Sequence, residues 1–367
     1  MKLKRVLKNL KQQLTGKKSS SSFKLYPSGS SFKLSRPLNI GIIGAGNQAS
    51  NLSGQVISSG AKIVAIHDIK IESAQKLAKL TNTSFSTNNL EEFFNVPMDG
   101  LIISTIPTVR SEPIKLACKK KINLLIEKPP AFDLNVGREC LKYIKESGVI
   151  TSVGFQSRYD PGYEKLKKLI KGKEIHLVKT MLANNYYPLM QVPEWYLQKK
   201  HSGGPYAEQA IHLLDCVRFV LDDPKALRAS SMGVKNMVNF RKDIDAENAL
   251  QLIYELDNGV YGSHINHCGH GERRWDFELI GPNLQLQANA TEQIIKGKID
   301  GRKIKEKFSH NNDLGGHDKV TAWLKTIETN DKKYIRSSYE ESLNTQALVD
   351  AAIKSQFSKK MEQVEKV

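Results

Sequence analysis

The stretch "NIGIIGAGNQASNLSGQVISSGAKIVAIHD", residues 39 to 68, limits what this chain can fold into more than any other. A β-branched apolar run ends in glycine, an amphipathic segment continues from Asn47 to Gly60, and a second apolar run stops at Asp68. The order is strand, turn, helix, strand. The turn reads Gly44-Ala45-Gly46-Asn47-Gln48-Ala49, the G-x-G-x-x-A spacing with which a βαβ unit holds a dinucleotide. Gly44 permits the tight turn, Gly46 lets backbone approach a pyrophosphate without a Cβ in the way, and the small Ala49 lets the helix lie close on the strand. The first helical N–H groups, from Asn47 and Gln48 onward, present roughly half a positive charge to the phosphates. Asp68 lies 22 residues past Gly46, where a carboxylate accepts from an adenosine ribose 2′-OH and repels a 2′-phosphate. NAD is therefore expected over NADP, with Lys70 close enough to soften the discrimination.

The alternation continues through "GLIISTIP" (100–107), "INLLIEKPP" (122–130) and "VITSVGF" (149–155), separated by helical segments near 72–80, 112–120 and 135–147. Apolar strands alternating with helices predict a doubly wound parallel sheet, a Rossmann domain, with ligands at the strand carboxyl ends. Thr105, Pro107, Glu127, Lys128 and Pro129 fall at those ends. From residue 175 the runs "IHLVKTMLAN", "ALRASSMGVKN", "ALQLIYEL", "GVYGSHINH", "RWDFELIG" and "LQLQAN" follow one another with one helix, 206–221, among them. That pattern predicts an α+β substrate domain with a mostly antiparallel open sheet. Two helices, from "GGHDKVTAWLKTIE" and "SYEESLNTQALVDAAIKSQF", close the chain. At 367 residues the chain exceeds one ordinary core. The expected divisions are a basic arm (1–37), the NAD(P)-binding domain (38–155), the substrate and oligomerisation domain (156–336) and a C-terminal helix (337–367).

Three further motifs, "LLIEKPPAF", "GFQSRYDP" (154–161) and "SGGPYAEQAIHLLD" (202–215), stand in order and at matched spacing. Together with the glycine turn they resemble the glucose–fructose oxidoreductase, inositol dehydrogenase and rhizopine-catabolism family, Gfo/Idh/MocA, over about residues 38 to 357. The resemblance implies that Lys128 sits near the nicotinamide and the reacting carbon. It also implies that Glu208 and His212 line the substrate pocket, His212 as the proton-transfer group. Members oxidise a hydroxyl of a sugar, cyclitol or related molecule, or reduce the ketone, without a metal. Two departures stand out: Glu208 occupies a position where the family more often has Asp, and Pro130 extends the motif to E-K-P-P.

The residues themselves agree. Gly203, Gly204 and Pro205 signal a helix start. Glu208, His212 and Asp215 then project from one stripe of the following helix. An imidazole flanked by carboxylates and facing a lysine suits general acid–base work, although a packed histidine in a salt-bridged helix has the same spacing. Arg158 and Tyr159 in the interdomain segment, Trp195 and Tyr196 before the glycines, and Asn184 at a strand end are further substrate-pocket candidates. Arg110, Arg241, Arg273 and Arg274 could meet a phosphate or carboxylate, with surface charge as the default reading. His264, His267 and His270 recur every third residue, but in a strand such neighbours face opposite sides, so no metal site is expected.

The formal charge is +17, yet residues 1–38 hold ten Lys or Arg and the first acid in the chain is Asp68. The excess belongs largely to an arm, so no nucleic-acid partner is expected. The arm's "MKLKRVLKNLKQQL" has leucines at helical spacing among lysines; it fits a solvated or docking segment, a targeting peptide or a contact with anionic lipid. Cys118, Cys140, Cys216 and Cys268 show no paired spacing, and a reducing, cytoplasmic setting is expected. The leading function is an NAD-dependent dehydrogenase or reductase acting on a small sugar-like substrate, in a homo-oligomer joined through the open sheet. The alternatives are an enzyme that uses bound NAD transiently to cleave or eliminate, and a non-catalytic NAD-binding sensor.

Overall fold

The computed structural model describes residues 34–184, 193–235, 244–269, 272–309 and 316–367. The first sheet contains β1 (Asn39–Ile43), β2 (Lys62–His67), β3 (Ser86–Thr87), β4 (Gly100–Ile103), β5 (Asn123–Ile126) and β6 (Thr151–Val153). Its order is β3-β2-β1-β4-β5-β6, with every pairing parallel. The strands are short and nearly all buried, as their continuous Ile and Leu runs require when both faces are covered. Order reverses between β1 and β4, and the crevice at their carboxyl ends is where such a sheet binds its ligand.

The second sheet joins nine strands among the described residues: β7 (Leu177–Ala183), β8 (Ala226–Val234), β9 (Ala249–Leu256), β10 (Tyr261–His267), β11 (Arg274–Gly281), β12 (Leu284–Asn289), β13 (Ile294–Ile299), β14 (Arg302–Lys307) and β15 (Glu362–Gln363). Only β7 and β10 run parallel, so the sheet is mostly antiparallel, as expected. Its inner face takes alternate apolar residues such as Leu250, Leu252 and Tyr254 of β9. The Tyr339–Ser358 helix packs on β8 at this sheet and also on the Leu134–Ser147 helix of the first domain.

One helix lies where its position in the chain does not suggest. The Gly316–Thr329 helix falls within the stretch expected to form the substrate domain, yet Val320, Trp323 and Leu324 complete the core around β1 and the Asn47–Ser58 helix. Trp323 lies so close over Gly100 that a Cβ there would come within 2.7 Å of its ring. The expected helix 206–221 also differs at its start: Tyr206–Ala210 forms a widened π turn, and regular helix begins only at Ile211 and runs to Val220.

Candidate active site

The glycine turn is built as its sequence requires. Gly44 has φ +90, and a Cβ on it would sit 2.8 Å from the Ser104 backbone, so glycine is obligatory on both conformational and steric grounds. Asp68 closes the turn: its carboxylate accepts from the Ala45 amide at 2.7 Å and from the Lys70 amide at 2.9 Å. At Gly46, by contrast, a Cβ would meet nothing within 4 Å. The Asn47–Ser58 helix starts there without a side-chain cap or an acid in its first turn, leaving its leading amides for an anion. Open space beyond an obligatory turn, an uncapped helix start and a strand-end carboxylate together fit a bound dinucleotide.

The next wall comes from β4 and β5. Arg110, 4% exposed, donates to the carbonyls of Thr105, Glu127 and Pro129, tying both strand ends together. Burial lowers its pKa to about 10, against the opposing pull of Glu208 and Glu127. Pro107 opens a short 3-10 turn through Val109. Lys128, preceding a cis Pro129, points away from this core and crosses to the second domain. Its Nζ donates to Glu208 Oε2 at 2.6 Å and to the Glu208 carbonyl at 2.9 Å. Glu208 sits in the widened turn; such turns are common at functional sites.

His212 follows in the first turn of the regular helix. Its ring packs against Trp275 of β11 at a centroid distance of 5.9 Å, and its buried Nδ1 has no hydrogen-bond partner. Burial, then the positive charges of Lys128 and Lys319, push the imidazole well below its ordinary pKa. It is a neutral base at physiological pH. Sequence reasoning brought Lys128, Glu208 and His212 forward, and the structure brings all three together. It did not bring forward Lys319 or Arg110's carbonyl clamp.

Residues 38–155 match the model of an oxidoreductase family with an NAD-binding Rossmann fold, GFO_IDH_MocA. Residues 163–286 match the GFO/IDH/MocA C-terminal domain. The chain belongs to the GFO/IDH/MocA family. The first domain is thus an NAD-binding Rossmann domain. Among curated relatives, an uncharacterized oxidoreductase, YrbE, of Bacillus subtilis (strain 168) is 29% identical over 51% of this chain and 55% of its own length. The scyllo-inositol 2-dehydrogenase (NAD(+)) of the same organism is 28% identical over 60% of this chain and 64% of its own length. The matches to these two proteins thus span less than two thirds of either one. In fold, the chain resembles a levoglucosan dehydrogenase solved with NADH and L-sorbose, at a TM-score of 0.79 and 15% identity, covering 90% of this chain and 100% of that one.

Within this GFO/IDH/MocA frame several expected pocket residues take other work. Arg158 and Asp215 are corrected: both are fully buried and pair with each other at 2.7 Å, so neither reaches a substrate. Burial opposes the Arg158 charge, but Asp215, Asp223 and Glu341 together outweigh it and raise the guanidinium's pKa. Asp215 therefore turns away from His212, and Glu208 holds Lys128 instead of the imidazole. Tyr159 is buried with its hydroxyl accepting from the Arg336 amide at 2.9 Å. Asn184 donates to Gln209 at 3.0 Å, Gln209 donates to the Tyr196 hydroxyl, and Trp195 lies edge-on against Tyr196. That chain reaches the widened turn through Gln209. Glu127 is also buried, accepting from Gln48 at 3.1 Å.

Of the other cations, Arg273 lies over Trp275, Arg274 pairs with Asp276, and Arg241 is outside the described residues. His264 is buried against Thr180 while His267 lies on the opposite face of β10; His270 is outside the described residues. Among the described residues no group of His, Cys, Asp and Glu could hold a metal, and no helix is long and apolar enough to cross a membrane.

Proposed function

We propose that the protein is an NAD-dependent dehydrogenase or reductase acting on a secondary hydroxyl, or the matching ketone, of a cyclitol or sugar. The observation that carries this reading is the crossing of Lys128 from the NAD-binding domain to Glu208, in the turn just ahead of a neutral, unpartnered His212. NAD, held by the Gly44–Gly46 turn, the first amides of the Asn47–Ser58 helix and Asp68, would supply the hydride acceptor. His212 takes the hydroxyl proton as the carbinol carbon gives up its hydride, and passes the proton to solvent afterwards. Lys128 donates a hydrogen bond to the same oxygen and stabilises its developing charge, as Glu208 keeps the ammonium aimed across the domain boundary. A polyol suits the site because Lys128, Glu208 and His212 offer donors and acceptors to several adjacent hydroxyls. The inositol and levoglucosan dehydrogenases among the similar proteins act on molecules of that class by their names. The chain is further proposed to work as a homo-oligomer.

The test is a panel of cyclitols and free sugars with NAD, followed by NADH absorbance. At least one polyol should reduce NAD, and the same substrate should fail with His212→Ala. A chain that binds NADH tightly yet oxidises no polyol and reduces no inosose or ketose would overturn the reading.

A further inference from the structure

Arg110 stands immediately before the Ser111–Lys119 helix and is buried, a costly place for a charge. Among the described residues every hydrogen bond of its guanidinium goes to a backbone carbonyl and none to a carboxylate. Nε and Nη2 donate to the Thr105 carbonyl at 3.1 and 2.5 Å, just past the end of β4. Nη1 donates to the carbonyls of Glu127 and Pro129, the residues on either side of Lys128. One planar fork thus orients both carbonyls that flank Lys128 against a fixed point on the neighbouring strand end. The ladder between β4 and β5 stops at Ile103 and Ile126. The clamp therefore acts on the turn beyond the sheet, not on the strand pairing itself. At its far end Lys128 is held by Glu208 of the other domain, through the carboxylate at 2.6 Å and the carbonyl at 2.9 Å.

We propose that Arg110 is the positioning residue for Lys128: by holding the carbonyls on both sides of that residue it fixes the root of the side chain, and so decides where the ammonium ends. Its part in turnover rests on the dehydrogenase reading above, but its hold on Lys128 is tested without it. A displacement of about 1 Å at a group that stabilises the reacting oxygen can cost roughly 10²-fold in rate. The clamp touches neither Gly46 nor the leading amides of the Asn47–Ser58 helix, so cofactor affinity should be nearly indifferent to it.

The first experiment needs no substrate. The full chain, well below its melting temperature, is given a low dose of formaldehyde and a borane reductant, and methylation of Lys128 is read by peptide mass spectrometry. Lys199, paired with Glu247 in the second domain, is the internal reference. In Arg110→Gln, Lys128 should be labelled several-fold faster than in wild type relative to Lys199, because its ammonium no longer stays on Glu208. Arg110→Lys keeps the charge and should fold even where Arg110→Gln does not. It lacks the fork, so it too should label faster, by less. A structural staple would lower the melting temperature yet leave Lys128 labelled at the wild-type rate, and that result in either folded variant would overturn the proposal. With a polyol that the wild type oxidises, Arg110→Gln should lower kcat by about 10²-fold while the NADH dissociation constant holds. Weakened NADH binding at unchanged kcat would also overturn it. Faster Lys128 labelling in a chain that oxidises no polyol would sink the dehydrogenase reading and leave the placement of Lys128 by Arg110 standing.

Discussion

Two glycines two residues apart in the same turn should behave in opposite ways. Gly44→Ala forces a side chain onto positive φ and into the Ser104 backbone, so it should destabilise the fold itself, visible as a lowered melting temperature. Gly46→Ala meets no protein atom within 4 Å, so its melting curve should match wild type while NADH affinity, read by calorimetry, falls. Matching NADH affinity would show that no ligand occupies that space. At the base, His212→Ala should cut turnover by roughly 10²–10⁴ with NADH affinity nearly intact. The histidines also set an acid limit on stability. His212 is pushed well below its ordinary 6.5 and His264 down to about 3, both through burial first. The unfolded chain then binds more protons than the folded one below pH 6.5, so stability present above that value is lost as pH falls. Asp350, raised by burial to about 6, works the other way, but only below its own midpoint. Thermal melts should therefore decline from neutral pH toward about pH 5, and a flat profile would contradict the buried neutral imidazoles. Gly44, Lys128 and His212 were legible in the sequence because each belongs to a local pattern. Lys319 was not, since its partner Glu127 lies 192 residues away and only tertiary packing joins them.

At the scale of elements, the pair Arg158–Asp215 fixes how the two halves of the site meet. Arg158 follows the last strand of the first sheet, and its guanidinium holds Asp215, on the helix that carries His212, as well as Asp223 and the Arg336 carbonyl. Asp215→Asn should cost about 3–5 kcal/mol in denaturant melts, because it leaves a buried guanidinium short of its partner. If it instead left stability unchanged and raised KM alone, Asp215 would belong in the pocket after all. Element existence was largely legible: buried strands showed as apolar runs and the half-exposed strands of β9 and β10 as alternation. The β13–β14 hairpin was missed because its strands, "IIKGKI" and "RKIKEK", carry few buried residues. The Asp300-Gly301 pair between them, both at positive φ, was the signal that could have found it. The widened turn at Tyr206–Ala210 left no such mark, since helical periodicity continues smoothly through it.

For the whole molecule, the second sheet poses the largest remaining question, because one of its faces carries apolar side chains in the open. Met232 of β8, Ile253 of β9 and Tyr261 and Ile265 of β10 are 78%, 48%, 51% and 43% exposed. These strands are adjacent in the sheet, and Ser263 pairs opposite Ile253 between Tyr261 and Ile265, so the four form one patch rather than scattered residues. Contiguous apolar surface of this kind is uncommon on a monomer, and a second copy related by a two-fold axis is the commonest way to cover it. The wild-type chain should therefore sediment as a dimer or larger species at micromolar concentration, and Ile253→Glu with Tyr261→Glu should shift it to monomer. Both side chains point away from the core, so each glutamate should change intrinsic stability of the subunit by no more than about 0.5 kcal/mol. NADH affinity per chain should also hold, because the patch includes no part of the Lys128–Glu208 crossing. A wild-type chain that sediments as a monomer would leave the patch without its proposed partner. A double variant that loses NADH binding along with assembly would instead show that the second copy helps to complete the site.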